Sequence, residues 1–130
     1  PIYSLHLESP RRALLAARRL DFSMLEESIR LRSAASLRAA LAIDANDSAF
    51  VVAGDFNLPS GSRILRQHWG ELDNAFVRAG SGFGWTMFAG HHSVRIDHVL
   101  TPATLSARRV TVQRGFPSEH QPVVVDLSWR

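Results

Sequence analysis

The residues in this chain that could handle protons or charge lie at the edges of apolar segments. Asp55 and Asn57 follow the run "FVVAG" at 50–54, Asp97 sits inside "RIDHVL", Glu119 and His120 stand just before "PVVVDL", and His6 lies in "SLHLES". A carboxylate beside an imidazole can orient it and move a proton. Carboxylate and amide oxygens suit a hard divalent cation. Taken singly, most of these have a plainer explanation. Asp55 reads as a turn residue, His120 as a surface residue before a proline, and His6 as a satisfied core histidine. Asp97 is harder to set aside, because an acid in an apolar strand must be paired or bound to something. His98 should face away from Asp97, since neighbouring strand residues alternate. His91-His92 reads as a solvated loop and His68 as a helix-surface residue.

The elements that must position these groups follow from pattern. Ile2 to Leu7 alternates weakly and is β-compatible. Ser9-Pro10 reads as an N-cap and first helical position. A helix follows over "RRALLAARRL", broken near Asp21-Phe22. Ser23 to Glu26 has capping-box spacing, so a second helix starts there and runs to about Ile43. Leu25, Ile29, Leu37 and Leu41 are its apolar positions. "DANDS" is a turn, and Ala49 to Ala53 a strand covered on both faces. Short helices are expected at 62–68 and 73–78. Strands are expected at 85–88, 95–100, 110–113 and 122–127. "GSGFG" reads as a flexible connector. This order predicts an α+β fold with a mixed sheet covered by helices.

Composition narrows the class without deciding function. The chain has 130 residues, a net charge of +3 and no cysteine. That size suits one domain or part of one, and disulfides and thiolate metal sites are excluded. All 15 basic residues are arginine. The charge is too small to argue for a nucleic acid, because backbone binding usually shows a basic stripe. Arg11, Arg12, Arg18 and Arg19 read as a solvated helix face. No apolar run approaches ~18 residues, so no segment reads as a membrane-spanning helix. The chain opens at Pro1 without a methionine or a leader pattern, and the expectation is that something upstream was removed.

"GDFN", "RIDHVL" and "SEHQPVVVDL", in that order, resemble the endonuclease/exonuclease/phosphatase superfamily, whose fold is deoxyribonuclease-I-like. "SLHLES", the Arg-rich helical stretch before "VVAGDFN" and, more weakly, "GWT" at 84–86 fit the same resemblance, which covers essentially the whole chain. It implies two packed sheets with helices outside, an α/β/β/α sandwich of mostly antiparallel strands. Members are usually about twice this long. Residues 1–130 are therefore expected to be a single domain, the C-terminal half of a larger hydrolase. The first half would supply an asparagine and the glutamate that binds the metal.

The resemblance further implies Mg²⁺- or Mn²⁺-dependent cleavage of a phosphate ester. Asp55 would orient or deprotonate the attacking water. Asn57, two residues on along an extended segment, would donate to a phosphate oxygen. Asp97 would hold His120, which would act on the scissile phosphate, and His6 would contact the phosphate from the other side. Asp55, Asn57 and Glu119 would be the metal ligands, with Glu119 standing where the family usually has aspartate. The substrate stays open among nucleic acids, phospholipids and small phosphate esters, with loops 80–84 and 89–94 as candidates for specificity. Localisation stays open too. A non-catalytic fragment or binding module is the alternative to an enzyme. Half a sandwich would expose an apolar face, so association with a second copy or with a first-half chain is expected.

Overall fold

In this computed structural model, which describes residues 1–43, 48–89 and 92–130, the chain runs β1 (Ile2–His6), α1 (Arg11–Ala17), α2 (Ser23–Leu41), β2 (Val51–Asp55), α3 (Arg63–Trp69), β3 (Asp73–Asn74), α4 (Ala75–Ala79), β4 (Met87–Ala89), β5 (His92–Val94), β6 (Asp97–Thr101), β7 (Leu105–Val112) and β8 (Val123–Trp129). Most of the expected turn at 44–48, the loop residue His91 and part of the 89–94 loop lie outside the described residues.

One sheet has the order β1-β2-β6-β3, with β1 parallel to β2 and the other pairs antiparallel. The hairpins β4-β5 and β7-β8 form two further small sheets. The architecture is the expected mixed, antiparallel-rich α+β fold.

The core lies between the main sheet and helices α2 and α3. Leu7, Phe50, Val52, Phe56, Leu58, Leu65, Trp69 and Leu100 form one buried cluster, with Tyr3 and Leu5 partly buried against it. Strand alternation then sends the intervening residues to the opposite face. There a cleft of about 400 Å³ separates Ala53 and Val99 from Phe116, Pro122 and Val123.

Gly54 permits this close pairing. Its φ is +147°, and a Cβ there would stand 2.0 Å from the Leu5 carbonyl oxygen. Any side chain would push β1 off β2 just before the strand ends that carry His6 and Asp55.

Helix α2 departs from the expected pattern. Ile29, Leu37 and Leu41 are exposed, while Arg32 and Ser36 are its buried residues. Ala35, Ala39 and Ala40 pack on the core beside them. Small residues let the helix approach closely, and Ser36 Oγ accepts the indole N–H of Trp69 at 2.7 Å. The capping box does not form; Asp21 Oδ1 instead accepts from Ser23 N and Ser23 Oγ. His68 is half-buried rather than on the helix surface, 2.9 Å from Ser33 Oγ. The segment expected as one helix at 73–78 splits into β3 and α4, because the Asn74 side chain caps α4 through Phe76 N and Val77 N. Strand β5 was not anticipated, being only three residues long.

Candidate active site

Sheet register brings three strand ends into one row. His6 is level with Asp55 in the parallel pair, and Asp55 is level with Asp97 in the antiparallel pair. All three fall on the face opposite the helix-covered core, since Leu5 and His98 next to them occupy the other face. His6 Nε2 lies 3.7 Å from Asp55 Oδ2, with the imidazole largely exposed.

His120 enters this row from the segment before β8. Its Nδ1 lies 3.0 Å from Asp97 Oδ2 and 3.1 Å from Oδ1. A carboxylate can only accept, so Nδ1 carries the proton and donates it. The other nitrogen, Nε2, makes no hydrogen bond among the described residues and lies 3.9 Å from Asp55 Oδ2. His120 is half-exposed, whereas the two carboxylates are mostly covered. One ring edge is thus held, and the other is open to a ligand.

Asn57 meets Asp55 differently from the expectation. The chain is not extended there: Asn57 has φ +50°, in the left-handed region. Its backbone N–H donates to Asp55 Oδ1 at 2.8 Å, and its side-chain amide donates to Asp55 Oδ2 at 2.9 Å and to Leu7 O at 2.8 Å. Phe56 points into the core and is fully buried, which turns the chain between the two polar residues. Both amide protons of Asn57 are already engaged, so in this arrangement it orients Asp55 and ties the ends of β1 and β2 together.

Glu119 does not join the cluster. Its carboxylate pairs with Arg11 at 3.1 Å, and both side chains are 61% exposed. Among the described residues, the carboxylate and imidazole groups that could share one ion are Asp55, Asp97 and His120, whose ligand atoms lie within 4.8 Å of one another. The resemblance set Glu119 among the metal ligands; here the segment before β8 places its carboxylate beside Arg11 of α1 instead. Two carboxylates with a borderline nitrogen donor fit a hard or intermediate divalent ion.

Two supporting residues were missed in the sequence. Arg32 is buried on α2 and donates through Nη2 to the Asn57 carbonyl; its Nε has no partner among the described residues. Burial pulls its pKa below the ordinary value, against the opposing influence of Glu8 and Asp55. An arginine within "RLRSAASLR" reads as solvated, and only its i, i+4 spacing to Ser36 hints at the inner face. Asn74 is the second: its amide lies 3.1 Å from His98 Nδ1. His98 Nε2 lies 2.8 Å from Leu58 O, which fixes Nε2 as the donor and Nδ1 as the acceptor. Burial lowers the His98 pKa, with the Leu58 carbonyl opposing that shift. As expected from alternation, His98 faces away from Asp97.

A sequence model described as "Endonuclease/Exonuclease/phosphatase family" matches residues 13–120. No curated protein matches the chain. Among solved structures, the chain resembles a mannosyl-6-phosphatase of Bacteroides thetaiotaomicron VPI-5482 at 19% identity and TM-score 0.56, over 74% of this chain and 46% of that one. It also resembles an endonuclease/exonuclease/phosphatase from Bacteroides vulgatus at 19% identity and TM-score 0.61, over 75% and 45%. A conserved protein of unknown function from Enterococcus faecalis V583 matches at 15% identity and TM-score 0.60, over 99% and 50%. The chain spans about half the length of the solved structures it matches.

Proposed function

The chain belongs to the endonuclease/exonuclease/phosphatase family, and we propose that it carries the proton-handling part of a divalent-metal-dependent hydrolase of phosphate esters. One observation above all supports this reading: Asp97 holds His120 by Nδ1 while Nε2 is left open beside Asp55. Asp55 accepts the proton of the attacking water as it adds to phosphorus. The ester P–O bond breaks, and a proton on His120 Nε2 passes to the leaving oxygen. Asp97 keeps Nδ1 protonated throughout and stabilises the positive ring. Asn57 fixes the direction of the Asp55 carboxylate, and His6 supplies a further donor at the open rim. Asp55, with Asp97 near it, would hold Mg²⁺ or Mn²⁺ through carboxylate oxygens, leaving His120 Nε2 to its proton; the ion when bound stabilises negative charge growing on the phosphate oxygens.

A second reading is favoured by the size of the ligand set. Two carboxylates and one imidazole are few donors for an ion that takes about six, and His120 is already engaged by Asp97. On that reading the chain keeps the fold and does not hydrolyse by itself.

The test is a side-by-side assay with Mg²⁺ or Mn²⁺ on DNA, RNA, phosphoinositides, sphingomyelin and a sugar 6-phosphate, with a chelator control. It is run on the chain and on its natural polypeptide. Metal-dependent hydrolysis that disappears in His120→Ala supports the enzyme. Hydrolysis by neither preparation, or an unchanged rate in His120→Ala, would end the proposal.

A further inference from the structure

Asp97 and His120 are 23 residues apart in the chain, and the strand that spaces them belongs to neither. Thr86, which immediately precedes that strand, β4, is fully buried. Thr86 Oγ1 accepts from both Ile96 N and Asp97 N at 3.1 Å each. Its own N–H donates to Val94 O at 3.0 Å, and its carbonyl accepts from Gln121 N at 2.7 Å. The next residues continue the contact: Met87 bridges His120, and Phe88 N donates to Glu119 O at 2.8 Å. The segment 86–88 therefore has the Asp97 turn on one edge and the His120 turn on the other.

We infer that Thr86 is a positioning residue that sets the distance between Asp97 and His120 through its hydroxyl; this rests on the hydrolase reading above. The chemistry of the residue fits the task. A hydroxyl has lone pairs for two amide donors at once, and the buried N–H of Ile96 and the part-buried N–H of Asp97 need such an acceptor. Without it, the turn at Ile96-Asp97 must shift to find other partners. Asp97 would carry that shift to the imidazole it holds, while Gln121 stays fixed to the Thr86 carbonyl. Displacements of about 1 Å in such a pair can cost on the order of 10²-fold in rate.

The experiment compares Thr86→Val, which keeps shape and loses the acceptor, with Thr86→Ser, which keeps the acceptor and loses a methyl. Thr86→Ala is read alongside, removing the hydroxyl without branching at Cβ. In the hydrolysis assay with Mg²⁺, Thr86→Val and Thr86→Ala should lose ~10²-fold in kcat with KM changed by less than about 3-fold. Thr86→Ser should stay within about 3-fold of wild type. Nitrogen-15 NMR of the same proteins reads the position directly. Wild type and Thr86→Ser should show His120 protonated on Nδ1 and slow exchange of the Ile96 and Asp97 amides. The acceptor-free variants should show mixed His120 tautomers and fast exchange at those amides.

Fast exchange of both amides in the wild type overturns the inference, and so does a Thr86→Ser loss as large as that of Thr86→Val. The first result can be read even if neither acceptor-free variant folds. If the tautomer responds as described while His120→Ala keeps full activity, the hydrolase reading fails and the positioning geometry stands. If His120→Ala is inactive while the acceptor-free variants keep kcat, the inference fails and the hydrolase reading stands.

Discussion

Two histidines on opposite faces of the main sheet show how similar contacts serve different ends. His98 lies under the sheet, fully buried, with both ring nitrogens engaged by Leu58 O and Asn74. His120 lies above it, half-exposed, with one nitrogen on Asp97 and the other open towards Asp55. Asp97 and His98 are consecutive residues of β6, so one strand supplies the partner of one histidine and is itself the other. A ring held at both nitrogens can only brace structure. A ring held at one nitrogen keeps a direction while retaining a site for a proton.

The largest expected effect would break that contrast outright. His120→Ala should lower kcat/KM by ~10²-fold or more, the usual contribution of a positioned acid or base. Stability should hardly change, because the imidazole is half-exposed and packs on little. Asp97→Asn should cost nearly as much, since an amide can present its N–H to Nδ1 and favour the wrong tautomer. Steady-state kinetics beside a urea melt separates the two quantities. A large loss of stability in His120→Ala would make the site a brace like the one below it.

The complementary change should do the reverse. His98→Ala removes a buried ring and leaves the Leu58 carbonyl and the Asn74 amide without their partners. The cavity and the unmet polar groups together should destabilise the protein by about 2–4 kcal/mol. The folded fraction should keep kcat within a few-fold. A normal urea midpoint in His98→Ala would show that the network braces nothing.

A smaller effect concerns acid. Burial holds the His98 pKa below its ordinary value, so the folded state resists a proton that the unfolded chain accepts. Between the ordinary histidine value near 6.5 and the lower folded value, the unfolded state binds more protons. Stability should therefore fall as pH drops below about 6.5, by up to ~1.4 kcal/mol per pH unit from this group. His98→Gln, with an amide in place of the titrating ring, should flatten that slope. Melts at successive pH values check it, and an unchanged slope in His98→Gln would assign the acid sensitivity elsewhere.

What could be read in the sequence was what depends on local alternation. The opposite facing of Asp97 and His98 follows from period two along a strand, and polar residues at the ends of apolar runs pointed to one rim. Register between distant strands decides the row His6-Asp55-Asp97, and no local pattern carries it. Helix periodicity gave α2 a stripe of leucines but could not say which stripe faces inward; the close approach of Ala35, Ala39 and Ser36 selected the other one. Arg32 escaped, and Thr86 was noticed only as part of "GWT" with no role, for a shared reason. Their partners are backbone groups of remote turns, and a backbone group has no residue type to notice.

The smallest expected effect is at the residue where the motif and the geometry disagree. As a metal ligand, Glu119 would be costly to neutralise: Glu119→Gln would weaken Mg²⁺ or Mn²⁺ binding and activity by an order of magnitude or more. In the structure its carboxylate faces Arg11 at 3.1 Å with both side chains 61% exposed. Exposed pairs of this kind contribute ~0–1 kcal/mol, because water already solvates both charges and two long side chains must be ordered to meet. Glu119→Gln should therefore leave stability within ~1 kcal/mol and kcat/KM within about 3-fold, and Arg11→Gln should look the same. Asp55→Asn provides the contrast, since its carboxylate sits in the row beside His120 and should not be replaceable. Isothermal titration with Mn²⁺ across the three variants decides the matter: an affinity loss in Glu119→Gln as large as that in Asp55→Asn would place Glu119 on the ion and move the site's edge towards α1.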